Sequence, residues 1–449
     1  MLTIAKPHKF ITDLWDRQEG RLGVVFRLMK YVLRVDCSDK VLLHNVVTGH
    51  LVLLSRDEAT VLDKLPTCYS EIMESLVDTY FLVPEDYEES EVVHDLRVIL
   101  KKLYDSWSLK RITKYTILPT TTCNARCYYC FEQNSKISTM SKQMAYDVAK
   151  FVRNNTKGQT IISWFGGEPL VALNRIDQIC EKLSAYNVEY SSRIMTNGYL
   201  FDKEVVKRAK NLWHLVVAKI CVDGVSDQYN SIKSYNNACN NPYGKVMENI
   251  EYLLDEKIPV DIRMNFDIDN CDSFSLLADE IVKRFGLNSG VSLRAHPIVG
   301  EYQNSCGVIS HGTDRWLDEK TLELNSIARS KGLYPINAKL PSLSFKGCSA
   351  AQNSAATITP DGNLVSCLEQ YNDCQIVGNI YDGIVNDGLV KEWKKFAKYD
   401  KCIECVFFPS CSRLLNCAVK EKCYYLSEFI DQYSDAILKE YIKNEKECV

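Results

Sequence analysis

Short β-branched segments alternate with amphipathic helical segments from residue 114 to about residue 300, and this alternation constrains the fold more than any other feature. Repeated strand–helix units of this kind build parallel sheets. Six units are too few for a closed eight-stranded barrel. We therefore expect an α/β fold built on a partial (β/α)6 barrel that is open at one side. The predicted strands are residues 114–119, 159–165, 192–196, 215–222, 260–266 and 292–297.

Three cysteines follow the first predicted strand within one short loop, at Cys123, Cys127 and Cys130. In barrels and open parallel sheets, ligands and chemistry collect at the carboxyl ends of the strands. Three thiolates are one ligand short of a closed structural zinc site. An iron–sulfur cluster held by three thiolates keeps one iron open to a small molecule. The spacing therefore favours a reactive cluster, and the alternatives are a redox thiol pair or part of a zinc site.

The strand and the Cys-x₃-Cys-x₂-Cys spacing together resemble the radical S-adenosylmethionine (SAM) enzymes. The resemblance implies that the three cysteines hold a [4Fe–4S] cluster, whose free iron takes the amino and carboxylate groups of SAM. An electron from the cluster would then cleave SAM to a 5′-deoxyadenosyl radical. A partner such as a flavodoxin or ferredoxin would supply that electron.

Two further strand ends resemble the SAM pocket of this family. The second strand runs into Gly-Gly-Glu-Pro at residues 166–169, and the family's counterpart recognises the SAM amino group. Asn197 follows the third strand, where the family places a polar residue near the ribose. Tyr129, just before the last cysteine of the loop, has the position whose backbone meets the adenine. Taken singly, each motif is equally typical of an ordinary turn.

The fourth and fifth strands add polar candidates. Asp223 lies in an Asp-Gly pair after the fourth strand, and Cys221 stands where the family usually has a serine. Arg263 and Asn265 are two residues apart on the fifth strand and so share one face. The candidate SAM-binding residues are therefore Tyr129, Gly166, Gly167, Glu168, Pro169, Asn197, Asp223, Arg263 and Asn265.

A second cysteine-rich region begins at Cys348, and a hairpin turning at residues 360–362 is predicted within it. The run that follows is similar to the SPASM extension of radical SAM enzymes, which holds two auxiliary [4Fe–4S] clusters. Five residues separate Cys411 from Cys417, whereas the family pattern has three. Carried over by order, the distal ligands are Cys402, Cys405, Cys411 and Cys423, and the proximal ones are Cys348, Cys367 and Cys417. Cys374, Cys306 or an open position would complete the proximal site, and a zinc ribbon is the alternative.

The N-terminal hundred residues have a different pattern. Residues 35–54 predict a hairpin turning at Thr48-Gly49, two short helical stretches follow, and the acidic residues 85–91 predict a solvated linker. A winged-helix-like module of this kind resembles the peptide-recognition elements of enzymes that modify ribosomally made peptides. An exposed hairpin edge can capture a leader peptide as an added strand. The alternative is a module that only packs against the barrel.

The sequence therefore predicts three domains. They are a winged-helix-like peptide-recognition module at residues 1–105, the partial barrel at 106–305, and a cysteine-rich iron–sulfur domain at 306–449.

Composition limits the partners. A net charge of −4 argues against a nucleic-acid binder that relies on phosphate contacts. The sequence has no apolar run that could span a bilayer and no signal-peptide core, so we expect a cytoplasmic protein without a membrane partner. In a reducing cytosol, many of the nineteen cysteines are better explained as metal ligands than as disulfides.

The leading hypothesis is a radical SAM enzyme that uses SAM and three [4Fe–4S] clusters on a precursor peptide with a leader sequence. It would abstract a hydrogen from a Cα or Cβ and form a thioether or carbon–carbon cross-link; the sequence assigns no catalytic side chain. One alternative is a sulfatase-maturating type that oxidises Ser or Cys to formylglycine. A non-catalytic zinc-binding adaptor is the other.

Overall fold

A computed structural model describes most of the 449 residues. The described ranges are 1–14, 21–37, 40–107, 112–130, 136–287, 289–298, 314–334, 341–367, 375–396 and 400–412.

Two antiparallel sheets form the N-terminal module. The first has the order β1-β5-β4-β3, and the second has the order β6-β2-β7. The predicted turn at Thr48-Gly49 is confirmed, since it joins β4 to β5. The strands are β1 (Leu2–Ala5), β2 (Val25–Leu28), β3 (Val32–Cys37), β4 (Lys40–Asn45), β5 (Leu51–Ser55), β6 (Thr67–Cys68) and β7 (Leu82–Pro84). The helices are α1 (Lys9–Leu14), α2 (Arg56–Ala59), α3 (Glu74–Asp78) and α4 (Glu89–Trp107).

This strand-rich module does not confirm the winged-helix-like prediction, because α2 and α3 are each little more than one turn long. The predicted solvated linker at residues 85–91 is wrong from Glu89 onward. Glu89 begins α4 and is buried, and its carboxylate accepts two hydrogen bonds from the guanidinium of Arg27. A buried carboxylate paired with an arginine ties the start of α4 to β2.

The six predicted parallel strands are confirmed within about two residues at each end, and they lie side by side in chain order. They are β8 (Lys114–Thr120), β9 (Thr160–Gly166), β10 (Tyr190–Thr196), β11 (Leu215–Cys221), β12 (Val260–Phe266) and β13 (Val291–Pro297). The accompanying helices are α5 (Lys142–Asn155), α6 (Leu173–Ala185), α7 (Lys203–Asn211), α8 (Ser226–Lys233), α9 (Pro242–Asp255), α10 (Phe274–Phe285) and α11 (Asp314–Ser330).

Alternate residues of these strands face the helices and form the main apolar core. Trp164, Ile194, Ile220 and Ile262 are almost fully buried in it together with the apolar faces of the helices. Because side chains alternate along a strand, the residues between them lie on the opposite face of the sheet. That second face is lined by polar side chains at many positions, as described below.

The predicted hairpin of the C-terminal region is confirmed, and it continues the barrel sheet. β14 (Ala355–Ile358) pairs in parallel with β8 and in antiparallel fashion with β15 (Asn363–Val365). β16 (Ile376–Asn379) and β17 (Gly383–Ile384) extend the same sheet to ten strands, and α12 (Asp387–Trp393) and α13 (Asp400–Ile403) follow.

The last described residues pack into the N-terminal module. Phe408 belongs to the apolar core of β2, β4 and α4, and Phe407 packs with residues of β3, β4 and β5. The hydroxyl of Tyr31 donates a hydrogen bond to the Ile403 carbonyl, 3.2 Å away. The two ends of the described chain therefore share one core. Among the helices that the structure describes, none combines the length and apolar character needed to cross a membrane.

Candidate SAM and iron–sulfur site

The three cysteines of the first motif lie in the loop after β8, at the carboxyl edge of the sheet (residues 121–130, here called the Cys loop). The loop is held by its backbone. Arg126 N–H donates to the Lys233 carbonyl at 2.8 Å, and Asn236 N–H donates to the Asn124 carbonyl at 2.8 Å. The C-terminal end of α8 and the chain just after it therefore fix the loop that carries the thiols.

All three thiols are half-buried. Burial raises the pKa of Cys123 to about 11, and it raises the pKa of Cys127 as well. The ammonium of Lys233 works in the opposite direction on Cys127. Without a bound metal, Cys123 and Cys127 are neutral thiols at neutral pH, and metal binding would have to displace their protons.

The Gly-Gly-Glu-Pro run packs directly against the Cys loop. A Cβ on Gly166 would lie 2.1 Å from the Thr120 carbonyl oxygen, and one on Gly167 would lie 2.5 Å from the Thr121 carbonyl oxygen. Gly166 also has φ +121°, which favours glycine. Both glycines are therefore needed for the close approach of two backbones. The backbone that these glycines approach is thus the chain's own Cys loop and the end of β8.

Glu168 is buried, and its carboxylate organises the ends of β9 and β10. It accepts hydrogen bonds from Leu170 N–H at 3.0 Å, the Thr196 hydroxyl at 2.7 Å and Asn197 N–H at 2.8 Å. Burial raises its pKa, although these three donors oppose that shift. The side-chain amide of Asn197 in turn donates to Asn124 Oδ1 in the Cys loop at 2.7 Å. Glu168 and Asn197 thus lie at the cysteine motif, as the sequence predicted, and the role of Glu168 towards SAM stays a prediction.

Asp223 and Lys233 form an ion pair beneath the Cys loop. Their Oδ2 and Nζ atoms are 2.6 Å apart, and the side chains are 0% and 2% exposed. Tyr129 donates its hydroxyl hydrogen to Asp223, and Lys233 Nζ is 3.2 Å from that hydroxyl oxygen. Burial alone would lower the pKa of Lys233, but Asp223 and Cys127 raise it well above its usual value. The lysine is therefore a permanent cation beside Cys127, where it favours a thiolate.

Asn265 joins the fifth strand to this network. Its backbone N–H donates to Asp223 Oδ1 at 2.8 Å, and its side-chain amide lies 3.1 Å from the Tyr129 hydroxyl oxygen. Arg263 donates from Nε to Asn265 Oδ1 at 2.8 Å. The structure thus brings together Tyr129, Asp223, Arg263 and Asn265. Pro169 lies next in the chain to Glu168, where it begins a short helical turn.

The donor set of the Cys loop fits a [4Fe–4S] cluster better than a single ion. Across the described residues, no three His, Cys, Asp or Glu side chains converge closely enough for one metal ion. A cluster does not require this, because each thiolate binds a different iron. Three soft thiolates next to a buried cation suit a negatively charged iron–sulfur cluster with one open iron.

The C-terminal cysteines are held by the N-terminal module. Arg97 of α4 is 1% exposed, and it donates to the Ser344 carbonyl at 2.8 Å, the Phe408 carbonyl at 3.1 Å and the Cys411 carbonyl. Burial lowers its pKa to about 10, so the guanidinium remains charged at neutral pH. One turn further along α4, Lys101 donates to the Ala351 carbonyl at 3.0 Å. One face of α4 thus binds two chain segments, one that carries Cys348 and one that carries Cys411.

These contacts place several predicted auxiliary ligands in one region. Cys348 N–H donates to the Ser412 carbonyl at 3.0 Å, so Cys348 lies beside Cys411, although the order-based assignment put them in different clusters. Cys367 packs against the small core that contains Phe396, whose ring lies 4.0 Å from the Arg97 guanidinium carbon. Cys402 and Cys405 lie in the turn that precedes Phe408. Outside the described residues lie Cys306, Cys374, Cys417 and Cys423.

Sequence reasoning missed two charged residues of these sites, Lys233 and Arg97. Both lie on a helix face that also carries buried apolar side chains, namely Tyr229 four residues before Lys233 and Val93 four residues before Arg97. A basic residue in the apolar stripe of an amphipathic helix is a usable signal, because a lysine or arginine is rarely buried unless it is paired.

Comparison with known families identifies the barrel. Residues 117–280 match the model of the radical SAM superfamily, and this span contains the Cys loop and every predicted SAM-binding residue. The chain thus carries a radical SAM domain at residues 117–280. That domain implies SAM and one [4Fe–4S] cluster as cofactors. No curated protein matches the chain.

Solved structures show the same fold. anSMEcpe with bound AdoMet has a TM-score of 0.56 at 17% identity, covering 74% of this chain and 98% of that one. Streptococcus suis SuiB bound to S-adenosylmethionine has a TM-score of 0.53 at 15% identity, covering 89% and 98%. SuiB bound to precursor peptide SuiA has a TM-score of 0.52 at 15% identity, with the same coverage.

We expect Lys233→Met to destabilise the protein by about 3–5 kcal/mol, because it leaves the Asp223 carboxylate buried without its cation. The double variant Asp223→Asn/Lys233→Met removes that lone charge and should recover much of the loss. Urea unfolding of the full chain measures both.

The control is Lys207→Met, which removes an exposed ion pair with Glu204 on α7 and should change stability by less than about 1 kcal/mol. A single variant as stable as this control would contradict the assignment of Lys233.

We expect Arg97→Ala to cost about 2–4 kcal/mol, because three carbonyls, one buried and two partly buried, lose their donor. The loss should be local, so pulsed alkylation with mass spectrometry should detect faster labelling of Cys402, Cys405 and Cys411. Cys180, buried in the barrel core, should label as slowly as before. Lys102→Ala, at an exposed position of the same helix, is the matched control. Unchanged labelling of the three cysteines would show that Arg97 does not hold the segment.

Proposed function

We propose that this radical SAM enzyme modifies a ribosomally made precursor peptide and joins two of its residues by a thioether or carbon–carbon cross-link. The observation that carries the proposal is the shared fold with SuiB over 89% of this chain, because SuiB is known in complex with precursor peptide SuiA. A likeness of this extent reaches well beyond the radical SAM domain at residues 117–280.

The geometry of the barrel supports a large substrate. Six parallel strands cover part of a barrel circumference, and the sheet continues from β8 into β14 instead of closing on β13. Among the described residues β13 is therefore an edge strand, and the partial barrel is open beside it. A polypeptide could reach the site from that side, whereas a closed barrel admits ligands only at its mouth.

In the proposed mechanism, the cluster and SAM, when bound, supply a radical able to abstract hydrogen from an unactivated carbon. The protein's own groups orient and shield that chemistry. Cys123, Cys127 and Cys130 would hold the cluster, and Lys233 would balance its negative charge. Glu168 and Asn197 hold the strand ends against the Cys loop, so that the cofactor meets a preorganised surface.

We also propose that the C-terminal cysteines hold auxiliary [4Fe–4S] clusters. Cross-link formation removes two hydrogens from the peptide: one leaves as an atom to the radical, and the other leaves as a proton and an electron. An auxiliary cluster would accept that electron. Cys348 and Cys411 lie together beneath α4, which supports a metal site there and also supports a change in the order-based assignment of ligands.

The N-terminal module is proposed to recognise the leader of the precursor. Its sheets have edge strands β1, β3, β6 and β7, and an extended peptide can add to such an edge through backbone hydrogen bonds. Because α4 and Phe408 join this module to the cysteine segment, leader binding would occur on the same rigid unit that holds the auxiliary site.

The proposal is tested by co-expressing the enzyme with short peptides encoded beside its gene and analysing them by tandem mass spectrometry. We expect a peptide that has lost about two mass units, and that no longer fragments between two linked residues. Formylglycine formation would be favoured if the peptide loses mass but still fragments fully, and if it carries an aldehyde that reacts with a hydrazine probe. Unmodified peptides from all cultures with active, iron-loaded enzyme would contradict a peptide maturase.

A further inference from the structure

The barrel face opposite the helices carries an unusual excess of positive charge. Barrel interiors are normally filled with branched apolar side chains. Here the inward positions of four neighbouring strands carry Arg193 on β10, Lys219 on β11, Asp261 and Arg263 on β12, and Arg294 on β13. We call these five residues the inner cationic face.

Three observations place these side chains on one surface. Their chain neighbours Ile194, Ile220, Ile262 and Leu293 are buried in the helix-side core, so the alternating side chains point the other way. Strand register sets Lys219 beside Asp261 and Arg263 beside Arg294.

The ion pairs agree with this placement. Asp261 lies 3.8 Å from Lys219 and 3.6 Å from Arg294, measured between charged nitrogen and oxygen atoms.

The charges of this surface do not balance. Asp261 is its one acid among the described residues, against four cations. His296, beside Arg263, adds no charge at neutral pH, since burial and that arginine lower its pKa to about 3. Lys219 and Arg294 are each 45% exposed, and Arg193 is also exposed. A large, accessible excess of one sign in a concave surface attracts ligands of the opposite sign.

The spacing suits an extended polypeptide. Neighbouring strands lie about 4.8 Å apart, so cations on four adjacent strands span about 14 Å. Alternate residues of an extended peptide are about 6.8 Å apart, so three acidic residues at every second position span almost the same distance. The face is continuous with the carboxyl edge where the Cys loop lies, because β10 to β13 all end there.

We propose that the inner cationic face binds an acidic segment of the peptide substrate, with Arg193 and Arg294 as the side chains that select for negative charge. This inference rests on the proposed peptide-modifying function and specifies its substrate class. An acidic segment held here would place neighbouring residues of the same peptide at the SAM site.

The test measures binding of a labelled probe peptide to the full-length, cluster-loaded protein by fluorescence anisotropy. The probe is fluorescein-Gly-Glu-Gly-Glu-Gly-Glu-Gly, and its counterpart has Lys in place of Glu. We expect the acidic probe to bind, with an affinity that falls as salt is added, and the basic one not to bind. The double variant Arg193→Gln/Arg294→Gln should weaken binding about tenfold. Asp261→Asn should strengthen it.

The matched control is Lys150→Gln/Lys210→Gln, which removes the same charge from exposed helical positions on the outer surface. If both double variants weaken binding of the acidic probe equally, binding depends only on the net charge of the protein, and the proposal is overturned. Equal binding of the two probes would also overturn the proposal. The same holds if the acidic probe does not bind, which is the result expected if another part of this chain covers the face.

Cleavage of SAM to 5′-deoxyadenosine without peptide is measured in the same samples. Normal cleavage with no acidic-probe binding refutes this inference alone, whereas acidic-probe binding in a protein that modifies no peptide refutes the proposed function.

Discussion

The buried ion pair between Asp223 and Lys233 is the interaction on which the site depends. It joins the end of β11 to the end of α8, and through Tyr129 and Asn265 it reaches the Cys loop and β12. Two charges removed from water are costly unless they are paired and hydrogen-bonded. Besides its contact with the lysine nitrogen, the Asp223 carboxylate accepts three hydrogen bonds, one from Tyr129 and two from the backbone and side-chain amides of Asn265. The pair therefore fixes the loop geometry, and it leaves a permanent cation next to Cys127 for the negative charge of a cluster.

A second buried cation, Arg97, plays the corresponding role for the C-terminal cysteines. It binds carbonyls from two segments that are more than sixty residues apart in the chain, at Ser344 and Cys411. The N-terminal module and the cysteine segment consequently form one folded unit with a shared core. The proposed leader-binding surface is therefore connected to the proposed auxiliary site by direct contacts, and the barrel takes no part in them.

The barrel could be predicted from the sequence because the signals for it are local. The period of apolar residues, the turn residues and the cysteine spacing each lie within a single strand–helix unit. The hairpin at residues 360–362 was predictable for the same reason. Its addition to β8 was not, since parallel pairing over more than two hundred residues leaves no local signal. The acidic stretch at residues 85–91 looked solvated because the partner of Glu89, Arg27, is distant in the chain. Lys233 and Arg97 were missed because their acceptors come from other segments.

The central claim is that clusters are held in two separate regions, the Cys loop and the C-terminal cysteine segment. Its most direct test is an iron and product analysis of a variant with Cys123, Cys127 and Cys130 all replaced by alanine. After anaerobic reconstitution, we expect the unmodified protein to hold roughly twelve irons. The variant should form no 5′-deoxyadenosine from SAM and dithionite, yet it should retain about eight irons. A folded variant that has lost all its iron would contradict the account, as would one that still cleaves SAM.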